Sequence, residues 1–148
     1  MFFAVRQGGA HFWFFEHPDG TVQIPKGTMG PNEPAAKAVI RELEEESGLT
    51  GVRLHPELAR LERRLPSGPT SDGPLEDQVW HVFLLEPNSD MPDRWQHVVT
   101  DGPTEAGLTF SFRWIPLVQA PELLHSLFAP VVDVLLHAND RQGGGSIA

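Results

Sequence analysis

Leu108-Thr109-Phe110-Ser111-Phe112-Arg113-Trp114 alternates strictly between apolar and polar residues, the period of a strand with one buried face. Residues 2–6 and 11–16 read as two more strands around a Gly8-Gly9 turn. Pro18-Asp19-Gly20 turns the chain into a short extended piece, Thr21 to Pro25. The segments 52–65 and 77–86 are also extended, parted by a Pro/Gly/Ser loop from Pro66 to Pro74, and a further strand lies near 95–100. Two segments carry helical spacing instead. Ala36, Val39, Ile40 and Leu43 recur at i, i+3, i+4, i+7, and Leu123, Leu124, Leu127, Val131, Val134 and Leu135 form the stripe of a helix over 121–137. The pattern predicts a mixed sheet with helices packed on it, α/β or α+β. It places one domain over residues 1–138 and a flexible tail over 139–148, which includes Gly143-Gly144-Gly145-Ser146.

The first helix has defined ends. Asn32 or Glu33 can cap its start, with Pro34 tolerated in the first turn. Gly48 is a natural left-handed terminator, and Leu49 after it suits a Schellman ending. What such a helix does not explain is Glu42, Glu44, Glu45 and Glu46 crowded into its last turns. A helix C-terminus carries partial negative charge, so each acid there costs about 0.3–1 kcal/mol. Glu42 also faces Glu45 and Glu46 at i+3 and i+4, at about 0.2–0.5 kcal/mol for each like pair. At about 100° per residue, Glu42, Glu45 and Glu46 cluster roughly 115° around from the apolar stripe, at the edge of a helix–sheet cleft. Glu44 points elsewhere and is read as solvated. A surface helix with Glu33–Lys37 and Arg41–Glu45 pairs accounts for part of this pattern but leaves Glu42 and Glu46 side by side. A bound divalent cation accounts for the rest.

Composition narrows the ligand. The chain has 148 residues, 40% hydrophobic and 21% charged, an ordinary globular mix. With 11 basic against 20 acidic residues its formal charge is -9. Such a chain is unsuited to nucleic-acid polymers, which are held by lysine and arginine. An anionic small ligand would need bound metal to attract it. No cysteine is present, which excludes disulfides, zinc–thiolate sites and thiol nucleophiles. No stretch approaches the length of a membrane span, and the start lacks the pattern of a secretory signal, so a soluble cytoplasmic protein is expected. The loop Gly27-Thr28-Met29-Gly30-Pro31-Asn32 puts free N–H groups before the helix, where anions are favoured. Lys26 beside it could reach a phosphate.

Read together, Gly27-x5-Glu33-x7-Arg41-Glu42-Leu43-x-Glu45-Glu46-x-Gly48-Leu49 resembles the complete Nudix box. Its seven exact and two apolar positions would arise by chance at a given start less than about once in a billion. The resemblance covers 23 residues directly, and the order of strands and helices around them also fits. It implies a Nudix-type α/β/α sandwich, a mixed curved sheet between helices. It also implies hydrolysis of a diphosphate linkage in a nucleoside diphosphate joined to another group, with Mg²⁺ or Mn²⁺. By the family pattern Glu42, Glu45 and Glu46 would be metal ligands, helped by the Gly27 carbonyl. Arg41 would hold Glu42, Glu33 would brace the loop–helix junction, and Gly48 would close the box. Oxygen-only ligands suit such hard cations. Two other readings stay open: a non-catalytic Nudix-fold module that senses a nucleotide or binds a protein, and a prenyl-diphosphate isomerase, whose usual cysteine is missing here.

Outside the box the residues are less specific. Some family members supply another acid from a late loop; Glu105 is the candidate, with a solvated loop as the preferred reading. In a related branch the acid precedes a tryptophan, where this chain has Arg113 before Trp114, so Arg113 is a candidate to face the phosphates instead. His81 shares a strand face with Val79, Phe83 and Leu85 and reads as a hydrogen-bonded core residue. His97 is undecided, and Trp13, Trp80, Trp95 and Trp114 are candidates for stacking a base but read first as core. The chain has no tyrosine for the stacking seen in dinucleoside-polyphosphate enzymes, and Pro66 is the one hint of a sugar-nucleotide branch. A homodimer is plausible from the habits of relatives.

Overall fold

Four consecutive apolar residues, Val82-Phe83-Leu84-Leu85, organise the fold. Val82 and Leu84 are buried on one face of their strand and Phe83 and Leu85 on the other, so both faces must be covered. In a computed structural model that describes residues 2–8, 11–66, 72–88, 91–102, 105–124 and 126–143, they are. The elements in order are β1 (Phe2–Gly8), β2 (His11–Glu16), β3 (Val22–Gln23), α1 (Ala35–Ser47), β4 (Val52–Leu54), β5 (Ala59–Pro66), β6 (Leu75–Pro87), β7 (Arg94–Val98), β8 (Thr109–Pro116), α2 (Ala120–Leu123) and α3 (Ala129–Gly143). The sheet runs β4-β6-β1-β2-β8-β7, with β3 added to β2 and β5 to β6. β1 and β6 are parallel and the other pairs antiparallel, so the sheet is mixed.

Helices cover both faces. Phe12, Phe14, Val82, Leu84 and Ile115 pack with Phe128, Val131, Val132 and Leu135 of the C-terminal helical region. Phe83 and Leu85 pack with Val39 and Leu43 of α1 and with Leu49. Burying Val39 and Leu43 stabilises the contact by about 1.5–3 kcal/mol each. The expected α/β/α layering holds. No helix among the described residues is long and apolar enough to cross a membrane.

Several elements differ from their sequence pattern. The buried side of α1 is Ala38, Val39, Leu43, Glu46 and Ser47, whereas Ile40 is 39% exposed and Ala36 lies outside. The buried face is rotated roughly 60° toward the glutamates relative to the apolar stripe. An apolar count treats Glu46 and Ser47 as outward and so displaces the centre of the face. Pro34, not Asn32 or Glu33, caps α1, and no side chain bonds to its first turn. Asn32 adopts a positive φ of 59° in the preceding turn. At the other end Gly48, with φ of 73°, donates its N–H to Glu44 O at 2.9 Å. The Leu49 N–H goes to Ser47 Oγ, so the ending is the simpler left-handed motif rather than a Schellman.

The segment 52–65 breaks at Pro56 into β4 and β5. The single helix expected over 121–137 is also broken, into α2, a 3-10 turn Ser126–Phe128 and α3. Pro130 has no N–H to give the carbonyl four residues back, so one continuous helix could not cross it. Leu123 and Leu127 are consequently 40% and 38% exposed, and Phe128 and Val132 take core places instead. α3 continues to Gly143, so Asn139 and Asp140 are helical. The Gly8-Gly9 turn, the tip of the 66–74 loop and residues 144–148 lie outside the described residues.

The rotated face of α1 separates two substitutions. Leu43→Ala should cost about 2–5 kcal/mol through a buried cavity. Ile40→Ala, on the exposed flank, should cost about 1 kcal/mol or less. Urea denaturation midpoints measure both, and equal losses would contradict the placement of Ile40.

Candidate active site

Three pieces of chain meet beside α1: the Gly27–Glu33 loop, the helix itself and the loop that leaves β7. Glu33 closes the first piece. Its Oε1 accepts the Gly30 N–H at 2.8 Å while its own N–H donates to Gly30 O at 3.1 Å. The same carboxylate takes the fork of Arg41, Nε to Oε2 at 2.9 Å and Nη2 to Oε1 at 2.8 Å, and Nη2 also reaches Thr28 O at 3.1 Å. Glu33 thus pairs with Arg41 rather than with Lys37. The remaining nitrogen, Nη1, bonds Glu42 Oε1 at 3.0 Å and Glu45 Oε1 at 3.3 Å. One guanidinium therefore ties the loop to two of the clustered acids. Hydrogen bonds from Arg41 and Gly30 hold Glu33 down at about 2, and Glu33, Glu42 and Glu45 keep Arg41 more firmly protonated than usual.

Gly27 lies tight against Glu42. A Cβ added there would stand 2.7 Å from Glu42 Oε2 and closer still to its Cδ, so a side chain at this position would displace the carboxylate. Glu46 is the most confined acid, 5% exposed, and its Oε2 is buried without a hydrogen-bond partner. Burial raises its affinity for a proton, and the charges of Glu105 and Glu42 add to that against the attraction of Lys26, to about 9. Glu42 is shifted up as well, by burial and by Glu45, with Glu105 contributing. Glu105 is half-buried and acts electrostatically on both. Leu108 N–H holds its carbonyl at 2.9 Å inside a turn closed by Val99 and Gly107.

The other end of the cluster rests on β7. Glu45 O accepts His97 Nε2 at 3.1 Å and Thr100 N–H at 3.2 Å, and Ser47 O accepts Trp95 Nε1 at 3.1 Å. Trp95 also stacks on Phe112 at 4.8 Å, and Trp80 is core with its Nε1 on Gln78, so neither is placed to stack a base. Trp114 is packed against the α1 core, and the Trp13 side chain lies outside the described residues. His81 is half-buried and bonded to Glu57, a structural contact. Glu44 is exposed. Pro66 is the last residue of β5, paired with Leu75.

Lys26 stands 5.7 Å over the Phe128 ring and within electrostatic reach of Glu46. Arg113 is elsewhere. It lies on the β8 face shared with Ile115, whose packing is with the C-terminal helical region, while Phe112 and Trp114 face α1. The strict alternation of that strand sets Arg113 apart from Phe112 and Trp114, and Arg113 is not among the residues that line the cleft over the acids. A cleft of about 700 Å³ opens over the acids, lined by Thr28, Met29, Gly30, Arg41, Glu42, Glu45 and also by Asp101. Asp101 and Thr100 were not visible in the sequence as site residues, since nothing in their spacing relates them to a helix fifty residues earlier.

The donor set fits a hard divalent cation. It is all oxygen, one buried carboxylate oxygen lacks a partner, and Gly27 leaves room beside Glu42. Glu42 and Glu45 are turned to Arg41, and accordingly no three His, Asp or Glu side chains among the described residues stand together as a preformed cation site.

A family model described as the NUDIX domain matches residues 2–135. No curated protein sequence matches the chain. Among solved structures, an Ap4A hydrolase of C. elegans, crystallised as a binary complex, is similar with a TM-score of 0.61. The likeness covers 97% of this chain and 96% of that one at 18% identity, and is one of fold.

The confinement of Glu46 has a measurable sign. Its folded value of about 9 exceeds the ordinary 4.5, so between the two the folded chain holds one proton more than the unfolded chain. In chelator, stability should therefore fall as pH rises from about 5 to about 9. Glu46→Gln, neutral throughout, should match the parent near pH 5 and exceed its Tm by a few degrees near pH 8. Calorimetry at both pH values decides, and a constant gap would contradict the assignment.

Proposed function

The chain belongs to the Nudix family of hydrolases, and from that premise we propose that it hydrolyses the diphosphate linkage of a nucleoside diphosphate joined to another group, using Mg²⁺ or Mn²⁺. The observation that carries this reading is Glu46, buried with one oxygen unpartnered and repelled by the charges of Glu105, Glu42 and Glu45. Carboxylates packed in this way destabilise the fold unless a cation neutralises them. Glu42, Glu45 and Glu46, with the Gly27 carbonyl and Glu105 beside them, are the groups that would hold it. When bound, the cation supplies charge neutralisation for the diphosphate and acidifies a water for attack on phosphorus.

The chain's own residues supply the remainder. Arg41 bonds Glu42 and is itself fixed by Glu33, which ties that carboxylate to the loop before the helix. Lys26 offers the ammonium nearest to the acids for a phosphate oxygen. An ionised carboxylate of the group accepts the proton from the attacking water. The cleft volume falls in the range of about 300–1,000 Å³ that suits small-molecule ligands. With a net charge of -9 the protein does not attract a polyanion by its overall field, so attraction must come from the site. The Ap4A activity of the structural neighbour makes dinucleoside polyphosphates the first substrate class to try, ahead of nucleotide sugars and coenzyme A.

The purified protein, assayed with each cation against that panel, should release phosphate-containing products detectable by ³¹P NMR. Glu45→Gln and Glu46→Gln should each lower kcat by about 100-fold or more, and chelator should abolish turnover. Unchanged rates in both variants would defeat the proposal. Tight nucleotide binding in calorimetry without any turnover would favour a sensing module instead.

A further inference from the structure

The last four carbonyls of any helix have no partner within it. In α1 these belong to Glu44, Glu45, Glu46 and Ser47, the turn that carries two of the clustered acids. Glu44 O is taken by the Gly48 N–H, and Leu43 O just before them by Ser47 Oγ at 2.6 Å. The donors to Glu45 O and Ser47 O come from outside: His97 Nε2 and the Thr100 N–H for the first, Trp95 Nε1 for the second. All three residues lie on β7 or two residues beyond it. A carbonyl oxygen cannot donate, so Nε2 of His97 carries the proton in this bond. The other face of the imidazole rests on Gly48, where an added Cβ would stand 2.9 Å from Nδ1. The glycine that ends the helix thus also makes room for the histidine.

We propose that His97, assisted by Thr100, is a positioning residue for the metal-binding acids, because it anchors the backbone of Glu45 to β7. This rests on the proposed diphosphate hydrolase activity and adds a residue fifty positions beyond the box. Acids at the negative pole of a helix work against its last turn. Partial positive charge from β7 donors offsets that and holds Glu45 and Glu46 in helical register. Arg41 restrains Glu42 and Glu45 through their carboxylates, and His97 restrains Glu45 through the main chain.

Three substitutions test this. His97→Gln keeps an amide N–H at similar reach, His97→Asn has the same amide one carbon short, and His97→Phe keeps the ring without a donor. Manganese binding to the chain, followed by electron paramagnetic resonance, should weaken about 10–100-fold in His97→Phe and His97→Asn. kcat should fall with it while KM for the nucleotide stays within about twofold, and His97→Gln should recover most of both losses. If His97→Phe fails to fold, the Gln–Asn pair carries the comparison. Equal behaviour of Gln and Asn, or parental manganese affinity in Asn, overturns the proposal. A parent chain that binds manganese but hydrolyses nothing defeats the activity alone, because the binding comparison still reads the role of His97. A parent chain that binds no manganese defeats both.

Discussion

Mutual repulsion among carboxylates at the negative end of α1 is the constraint around which this molecule is arranged. Two sets of opposing charges hold it in check. On one flank Arg41 spreads its guanidinium over Glu33, Glu42 and Glu45, and joins the loop before the helix to the acids near its end. On the other, β7 directs N–H groups at the helix carbonyls. Neither set reaches the inner oxygen of Glu46. The fold therefore stores an unfavourable interaction at one point, a pattern expected where binding, rather than stability, has shaped a site.

Much of this was legible in the chain. Alternation located β8, the glycine at 48 marked the end of α1, and the spacing of Gly27, Glu33, Arg41 and the glutamates defined the box. Features that depend on distant partners were not. The roll of α1 about its axis depends on what the sheet offers, so Ile40 was placed in a core it does not enter. Pro130 leaves no mark on the apolar spacing, which continues through it. Arg113 precedes a tryptophan in sequence, but strand alternation sets the two on opposite faces of β8. His97, undecided in the sequence, and Trp95, which reads first as core, each supply a donor to a helix end.

The loop after β7 shows how residues outside the box acquire meaning. Glu105 belongs to a turn held by Leu108 and Gly107, and that turn brings it within electrostatic reach of Glu46 and Glu42. Asp101, four residues earlier, lines the cleft together with Met29 and Gly30. The acids of α1 come from a rigid helix and those of the loop from a surface connection. Loops tolerate change far better than helices, so specificity among relatives has more room to vary on this side than within the box.

The parallel pairing of β1 with β6 has a consequence for how the chain acquires its shape. Phe2 lies opposite Val82 and Val5 opposite Leu85, a separation of 80 residues. Contacts so distant along the chain close a large loop and slow the search for the native state. During synthesis the first strand leaves the ribosome long before its partner, and one of its hydrogen-bonding edges stays open until β6 emerges. Phe83 and Leu85, the floor beneath α1, arrive at that same moment. Helix α1, complete in sequence by residue 47, thus has nothing to lie on until nearly twice that length has been made.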